Sequence, residues 1–269
     1  MSTPEAITGH YIDVKGTRTF YDEIGDGKPL VCVHTAGASS LEYHLALPLY
    51  ASQGFHVFAL DLPGHSRSYP VNWTQHRSIH QHAEFVHEFV LALGLDDPVI
   101  TGCSIGGDIT FDYAVNHWRD MAAGIPMEGL GRSPTFPCPD SMVHPAWAPG
   151  WQDMIERAAV ESLGRNVSEE KQNELRWQHK NAQVSAVGDL EAWSQHDVLA
   201  DLDKVERPML VIRGDDDFWV PKELVEESVN RLPNGEAIHL PNVGHYPMFE
   251  DPQLVAKITG DFCRKHGLL

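Results

Sequence analysis

The chain has 269 residues, 42% hydrophobic and 22% charged, which is enough apolar material for one packed core plus an insertion and unlike a disordered chain. Acidic residues outnumber basic ones 38 to 20, a formal charge of -18, so the surface is expected to repel phosphate backbones and anionic lipid. Nucleic acid and membrane are thereby disfavoured as partners; a small-molecule substrate is expected, with a homodimer left open.

The N-terminus MSTPEAITGHYIDV has no basic stretch followed by an apolar one, and no run approaches the roughly 20 apolar residues of a spanning helix, so a cytoplasmic location is expected. Two alternating stretches, GHYIDVKG and TRTFYDEIG, predict an antiparallel hairpin, and KPLVCVH (28–34) predicts a buried strand. A helix over 41–53 then leads to the strand FHVFALD (55–61). The next helix, over 78–93, carries Ile79, Val86, Phe89, Val90 and Leu93 at helical spacing and leads to PVITGCS. Another over 105–116 leads to AAGIPME (122–128). Strands alternating with helices imply right-handed crossovers and a mostly parallel sheet with helices on both faces.

After Glu128 the alternation stops. It resumes with RPMLVIRGDDD (207–217), a helix over 222–231, the strand EAIHLP (236–241) and a last helix over 252–266. The interruption predicts a helical cap over 131–206, set on a core made of 1–130 and 207–269. Trp147, Trp151, Trp177 and Trp193 fall in the cap, and Trp219 lies just beyond it. They either staple the cap to the core or line an apolar, aromatic pocket beneath it, and the second reading makes them substrate-binding candidates. Cys32, Cys103, Cys138 and Cys263 lie far apart without a CxxC spacing, so reduced and mostly buried thiols are expected, with neither metal site nor disulfide.

The chemistry concentrates in GCSIG, which fits GxSxG with a buried strand before it and a helix after it. A serine at such a turn sits in a strained conformation and needs small neighbours, here Gly102 and Gly106, because the chain folds tightly around it. Free amides at the start of the following helix would point at the reaction centre. Ser104 needs a base, and His245 in LPNVGHYPMFEDP follows the last strand and precedes the last helix, outside that strand's carboxyl end. His80, His82 and His87 share a helix at spacings that do not gather ligands on one face, and they read as solvated. Asp61, Pro63, Gly64 and His65 in DLPGHSRS read as shaping a turn beside the site.

The order of hairpin, HTAG loop, DLPGHSRS turn, elbow serine, cap, GDDDFWVP and final Gly-His resembles an α/β-hydrolase over nearly the whole chain. That resemblance implies an eight-stranded, mostly parallel sheet, a helical cap after the sixth strand, and a triad of serine, acid and histidine in chain order. It implies Ser104 as nucleophile, His245 as general base and acid, and the amides of Ile105 and Ala36 as oxyanion hole. Thr35 departs from the pattern, since relatives commonly carry glycine there, which leaves Gly37 as an alternative donor. Two residues compete as the acid. Asp217 follows the seventh strand, where the family usually keeps its carboxylate, while Glu128 ends the sixth, where zearalenone lactonases and several haloalkane dehalogenases place theirs. GCSIGG and QGFHVFALDLPGHSRS are also similar to those lactonases. No cofactor is implied, and the expected reaction is hydrolysis of an ester or lactone of a mostly apolar substrate. A carbon–carbon bond hydrolase and a slow-turnover ligand receptor are the alternatives. Epoxide hydrolases and dehalogenases are disfavoured because they use a carboxylate nucleophile where this chain has serine.

Overall fold

A computed structural model describes residues 6–134, 151–180 and 185–269. Each predicted strand forms: β1 (Thr8–Val14), β2 (Thr17–Ile24), β3 (Lys28–Val33), β4 (Phe55–Leu60), β5 (Val99–Cys103), β6 (Ala123–Met127), β7 (Met209–Gly214) and β8 (Gly235–Leu240). They join one sheet in the order β1-β2-β4-β3-β5-β6-β7-β8. β1 and β2 pair antiparallel, as do β2 and β4, and every pairing from β4 across to β8 is parallel. The central strands β5, β6 and β7 are buried along their whole length, which is why their sequences read as continuous apolar runs rather than alternating ones.

Helices cover both faces. α2 (Ile79–Leu93) and α3 (Ile105–His117) pack on one side, where Val86, Phe89, Ile109 and Phe111 meet Val31, Val33 and Ile100. α1 (Leu47–Ser52) and the last helix pack on the other, with Leu47, Tyr50, Val255 and Phe262 against Leu30, Val57 and Val99. The single helix predicted over 41–53 is broken. A 3-10 turn spans Ser40–Tyr43, and α1 starts after Ala46 because Pro48 has no amide for the bond back to residue 44 and its ring would crowd that carbonyl.

Between β6 and β7 lie α4 (Trp151–Glu161), α5 (Glu169–His179), α6 (Ser185–Ser194) and a 3-10 stretch Leu199–Lys204. After β7 come α7 (Lys222–Arg231), the short α8 (Pro247–Glu250) and α9 (Pro252–Lys265). Among the described residues no helix is long and apolar enough to cross a membrane. Parallel strands send all their carboxyl ends to one edge, so the loops after β3, β5, β6, β7 and β8 converge there. The site is built from them.

Candidate active site

β5 ends at Cys103 and α3 begins at Ile105, so Ser104 alone turns the chain, at φ 57° and ψ -121°. This region is strained for a residue with a Cβ, and it holds because the surroundings leave no alternative. The Ser104 amide donates to Met127 O at 2.9 Å. A Cβ on Gly102 would stand 2.2 Å from Gly106 O, and one on Gly106 would stand 2.3 Å from Val33 O. Both glycines are therefore required by close passage of backbone, as the motif implies. Cys103, one residue earlier on the strand, points away and donates its Sγ–H to the His245 carbonyl at 3.1 Å.

The loop after β8 carries His245, buried, with its amide donating to Ser162 O at 2.9 Å. Its Nδ1 donates to Asp217 Oδ2 at 2.7 Å. Asp217 follows β7, and its Oδ1 accepts the Trp219 amide at 2.7 Å. Burial disfavours the charged forms of both groups, but their pairing outweighs it: His245 is raised above its usual 6.5 and Asp217 is lowered to about 2. Of the two carboxylates the sequence leaves open, Asp217 is the one His245 Nδ1 meets. Glu128, on the neighbouring strand end at φ 47°, accepts the Gly214 amide with Oε1 and turns its other oxygen toward Asp217. Burial, and then the Asp217 charge, push the Glu128 carboxyl well above the usual range.

Ser104, His245, Ala36, Ile105 and Glu128 face a common cavity of about 130 Å³. Trp193 and Trp219 line it, and Trp219 Nε1 donates to Ser162 Oγ at 2.7 Å, tying the β7 loop to the insert. Trp177 is 62% exposed and lies outside the lining, because α5 turns Leu175 and His179 inward instead. Trp147 and the side chain of Trp151 lie outside the described residues, as does Cys138. Cys32, Cys103 and Cys263 are free and buried.

The loop after β3 shows which of its amides are already engaged. Thr35 donates its amide to Glu42 Oε2 at 3.0 Å and its hydroxyl to Oε1 at 2.6 Å. The Gly37 amide is occupied by Asp189 Oδ2 at 2.9 Å, so Gly37 is not available as an alternative. The Ala36 and Ile105 amides have no partner among the described residues. Glu42, Asp189, His179 and Tyr246 were not visible as site residues in the sequence. For Asp189 the signal was a lone acid in the apolar stretch SAVGDL. The solvated reading of the α2 histidines needs correcting for His82, which is 1% exposed and lies 3.3 Å from Asp189 because it falls on the apolar face of α2, and for His87, which is half-buried and stacks on His117 at 3.8 Å.

A match to the alpha/beta hydrolase family spans residues 30–258. The chain belongs to this family. Over 97% of its length this alpha/beta hydrolase is 25% identical to a 2-hydroxy-6-oxo-6-(2'-aminophenyl)hexa-2,4-dienoic acid hydrolase of Metapseudomonas resinovorans, covering 93% of that protein. It is similarly related to a 2-hydroxy-6-oxo-6-phenylhexa-2,4-dienoate hydrolase of Burkholderia cepacia, 24% identical over 96% of this chain and 97% of the relative. Among solved structures, the enol-lactonase from Burkholderia xenovorans superposes with a TM-score of 0.85 at 17% identity, over 95% of this chain and all of that one. At that identity the likeness speaks to fold alone. Membership supports a hydrolase, while the names of the relatives leave the bond and the substrate open.

Proposed function

We propose that this alpha/beta hydrolase cleaves a carboxylic ester or lactone of a mostly apolar, aromatic-sized substrate through Ser104, His245 and Asp217. The observation that carries the reading is the 2.7 Å contact from His245 Nδ1 to Asp217, made in the same cavity that holds Ser104 at its strained turn. With Nδ1–H engaged, the neutral imidazole presents Nε2 as a base. Ser104 Oγ attacks the carbonyl carbon and its proton passes to His245. The oxyanion takes the Ile105 and Ala36 amides, and the imidazolium returns the proton to the departing alkoxide. Water then attacks the acyl-enzyme by the same route and frees Ser104.

The cavity supports the proposed substrate class. Leu130, Ile155 and Trp193 supply apolar walls, and the volume is close to the roughly 150 Å³ engineered cavity that takes up benzene. The carbon–carbon hydrolase reading is favoured by the long-range similarity to two ring-cleavage product hydrolases. A panel of aryl esters, lactones and 2-hydroxy-6-oxo-dienoates separates the two, with esters or lactones expected to turn over faster. Labelling the folded protein with a fluorophosphonate and mapping the adduct is expected to place it on Ser104 and to fail in Ser104→Ala. Folded wild-type protein that stays unlabelled at Ser104 would overturn the mechanism.

A further inference from the structure

The insert reaches the oxyanion loop through one buried carboxylate. Asp189 stands on α6 at 0% exposure, and its Oδ2 accepts both the Gly37 amide at 2.9 Å and His65 Nε2 at 2.7 Å. The other ring nitrogen of His65 faces Pro63 O at 3.1 Å. Both nitrogens thus meet oxygen acceptors, and only an imidazolium has a proton for each. Burial opposes both charges, yet the pairing prevails: His65 is held above its usual value and Asp189 well below. α6 has little freedom to sit elsewhere, since a Cβ on Gly188 would lie 2.2 Å from His76 O.

His34 extends the chain of contacts. Its ring lies 4.9 Å from that of His65, and burial together with the His65 charge lowers it to about 3, so it is neutral. Its Nε2 accepts the Leu62 amide at 3.0 Å, which places its proton on Nδ1, and Nδ1 donates to Thr35 O at 2.7 Å. That carbonyl belongs to the peptide whose amide is Ala36 N–H. Holding the carbonyl on one side aims the amide to the other. The preceding peptide is held by Glu42 at the Thr35 amide, and the following one by Asp189 at the Gly37 amide.

We propose that Asp189 is a positioning residue for the oxyanion hole: from the insert it locks the Ala36–Gly37 peptide and backs His65 against His34, so the Ala36 donor is aimed only while α6 is seated. This deepens the serine-hydrolase reading and rests on it for its kinetic consequence. Its structural half stands alone.

The test uses the full-length protein with Asp189→Ala, Asp189→Asn and His65→Gln. Hydrogen exchange of the segment 34–38 is expected to be slow in the wild type and faster in Asp189→Ala. The same variant is expected to lose about 10- to 100-fold in kcat with KM changed less than threefold, since loss of a whole oxyanion donor costs about 10²- to 10³-fold. Its affinity for a trifluoromethyl ketone, whose adduct carries the oxyanion, should fall in parallel. Asp189→Asn keeps an acceptor for Gly37 and should recover part of kcat, and it also reads the effect if the alanine variant does not fold. A residue that only cements the insert would raise KM and leave both kcat and the ketone affinity in place, which would overturn the proposal. So would unchanged exchange at 34–38 in folded Asp189→Ala or, where that variant does not fold, unchanged exchange together with unchanged kcat and ketone affinity in Asp189→Asn. A wild type unlabelled at Ser104 would instead refute the hydrolase reading, and the exchange result would still decide what Asp189 holds.

Discussion

Replacing Glu128 by Gln separates two charge states of the buried acid pair. The side chains of Glu128, Asp217 and His245 bring one ligand-type atom each within 4.8 Å of the others, and Glu128 Oε2 has no donor beside it, facing the Asp217 carboxylate. Two carboxyls this close do not both ionise readily. Asp217 keeps the charge because His245 pairs with it, falling from 3.8 to about 2, while burial and then the Asp217 charge push the Glu128 carboxyl well up and favour its protonated form. A glutamine amide supplies the same acceptor for Gly214 and the same donor toward Asp217. Glu128→Gln is therefore expected to keep kcat within about threefold, as a neutral exchange at one hydrogen bond should. It should also leave the acid limb of kcat/KM unmoved. That limb reports His245 in the free enzyme, and it lies above 6.5 because the Asp217 charge and hydrogen bond outweigh burial. An ionised Glu128 within 4.8 Å would instead attract the imidazolium by at least about 3.5 kcal/mol at an effective dielectric of about 20. Its removal would drag the limb down by about 2.5 pH units. Asp217→Asn, which favours the wrong imidazole tautomer, should cost about 10⁴-fold in kcat. Initial rates with an aryl ester across the pH range decide the matter: a limb displaced by two pH units in Glu128→Gln, or a loss matching Asp217→Asn, refutes the protonated-pair argument.

Two substitutions probe the backbone around Ser104. Gly106→Ala places a methyl 2.3 Å from the Val33 carbonyl, where only backbone could yield, and should destabilise the fold by about 3 kcal/mol in urea unfolding, whereas an unchanged midpoint would show spare room. Thr35→Val keeps the shape but removes the 2.6 Å hydroxyl bond to buried Glu42, so about 1–3 kcal/mol of stability should be lost in the same assay.

Much of the fold was readable because burial on both faces writes β5, β6 and β7 as short apolar runs with a helical period between them. Ser104 was readable because its turn demands glycines locally, and His245 because position after the last strand is itself the signal. The acid was not readable. Asp217 and Glu128 end neighbouring strands, and which of them reaches His245 depends on how the β8 loop leans, a property of packing rather than spacing. The helix over 41–53 failed at Pro48, whose missing amide acts one turn upstream. His82 was misread because its partner, Asp189, lies more than a hundred residues away on an inserted helix.

The acidic excess also has a destination that composition could not reveal. Loops at strand carboxyl ends have amides that no ladder satisfies, and in this protein buried carboxyls accept many of them. Glu42 holds Thr35, Asp108 holds Leu130, Glu128 holds Gly214, Asp189 holds Gly37, Asp217 holds Trp219 and Glu250 holds both Gly244 and Tyr246. Their pKa shifts divide by the partner each one meets. Asp217 and Asp189 each accept a ring N–H from a buried histidine, and that pairing lowers both below the usual carboxylate range despite burial. Glu42, Asp108, Glu128 and Glu250 accept from amides or hydroxyls, Glu42 also lying 3.4 Å from His179, whose ring burial lowers to about 4, and burial raises all four, Glu42 to about 7. Acid residues in this site thus divide into those that bracket loops, which burial pushes up, and those that aim a histidine, which the pairing holds down.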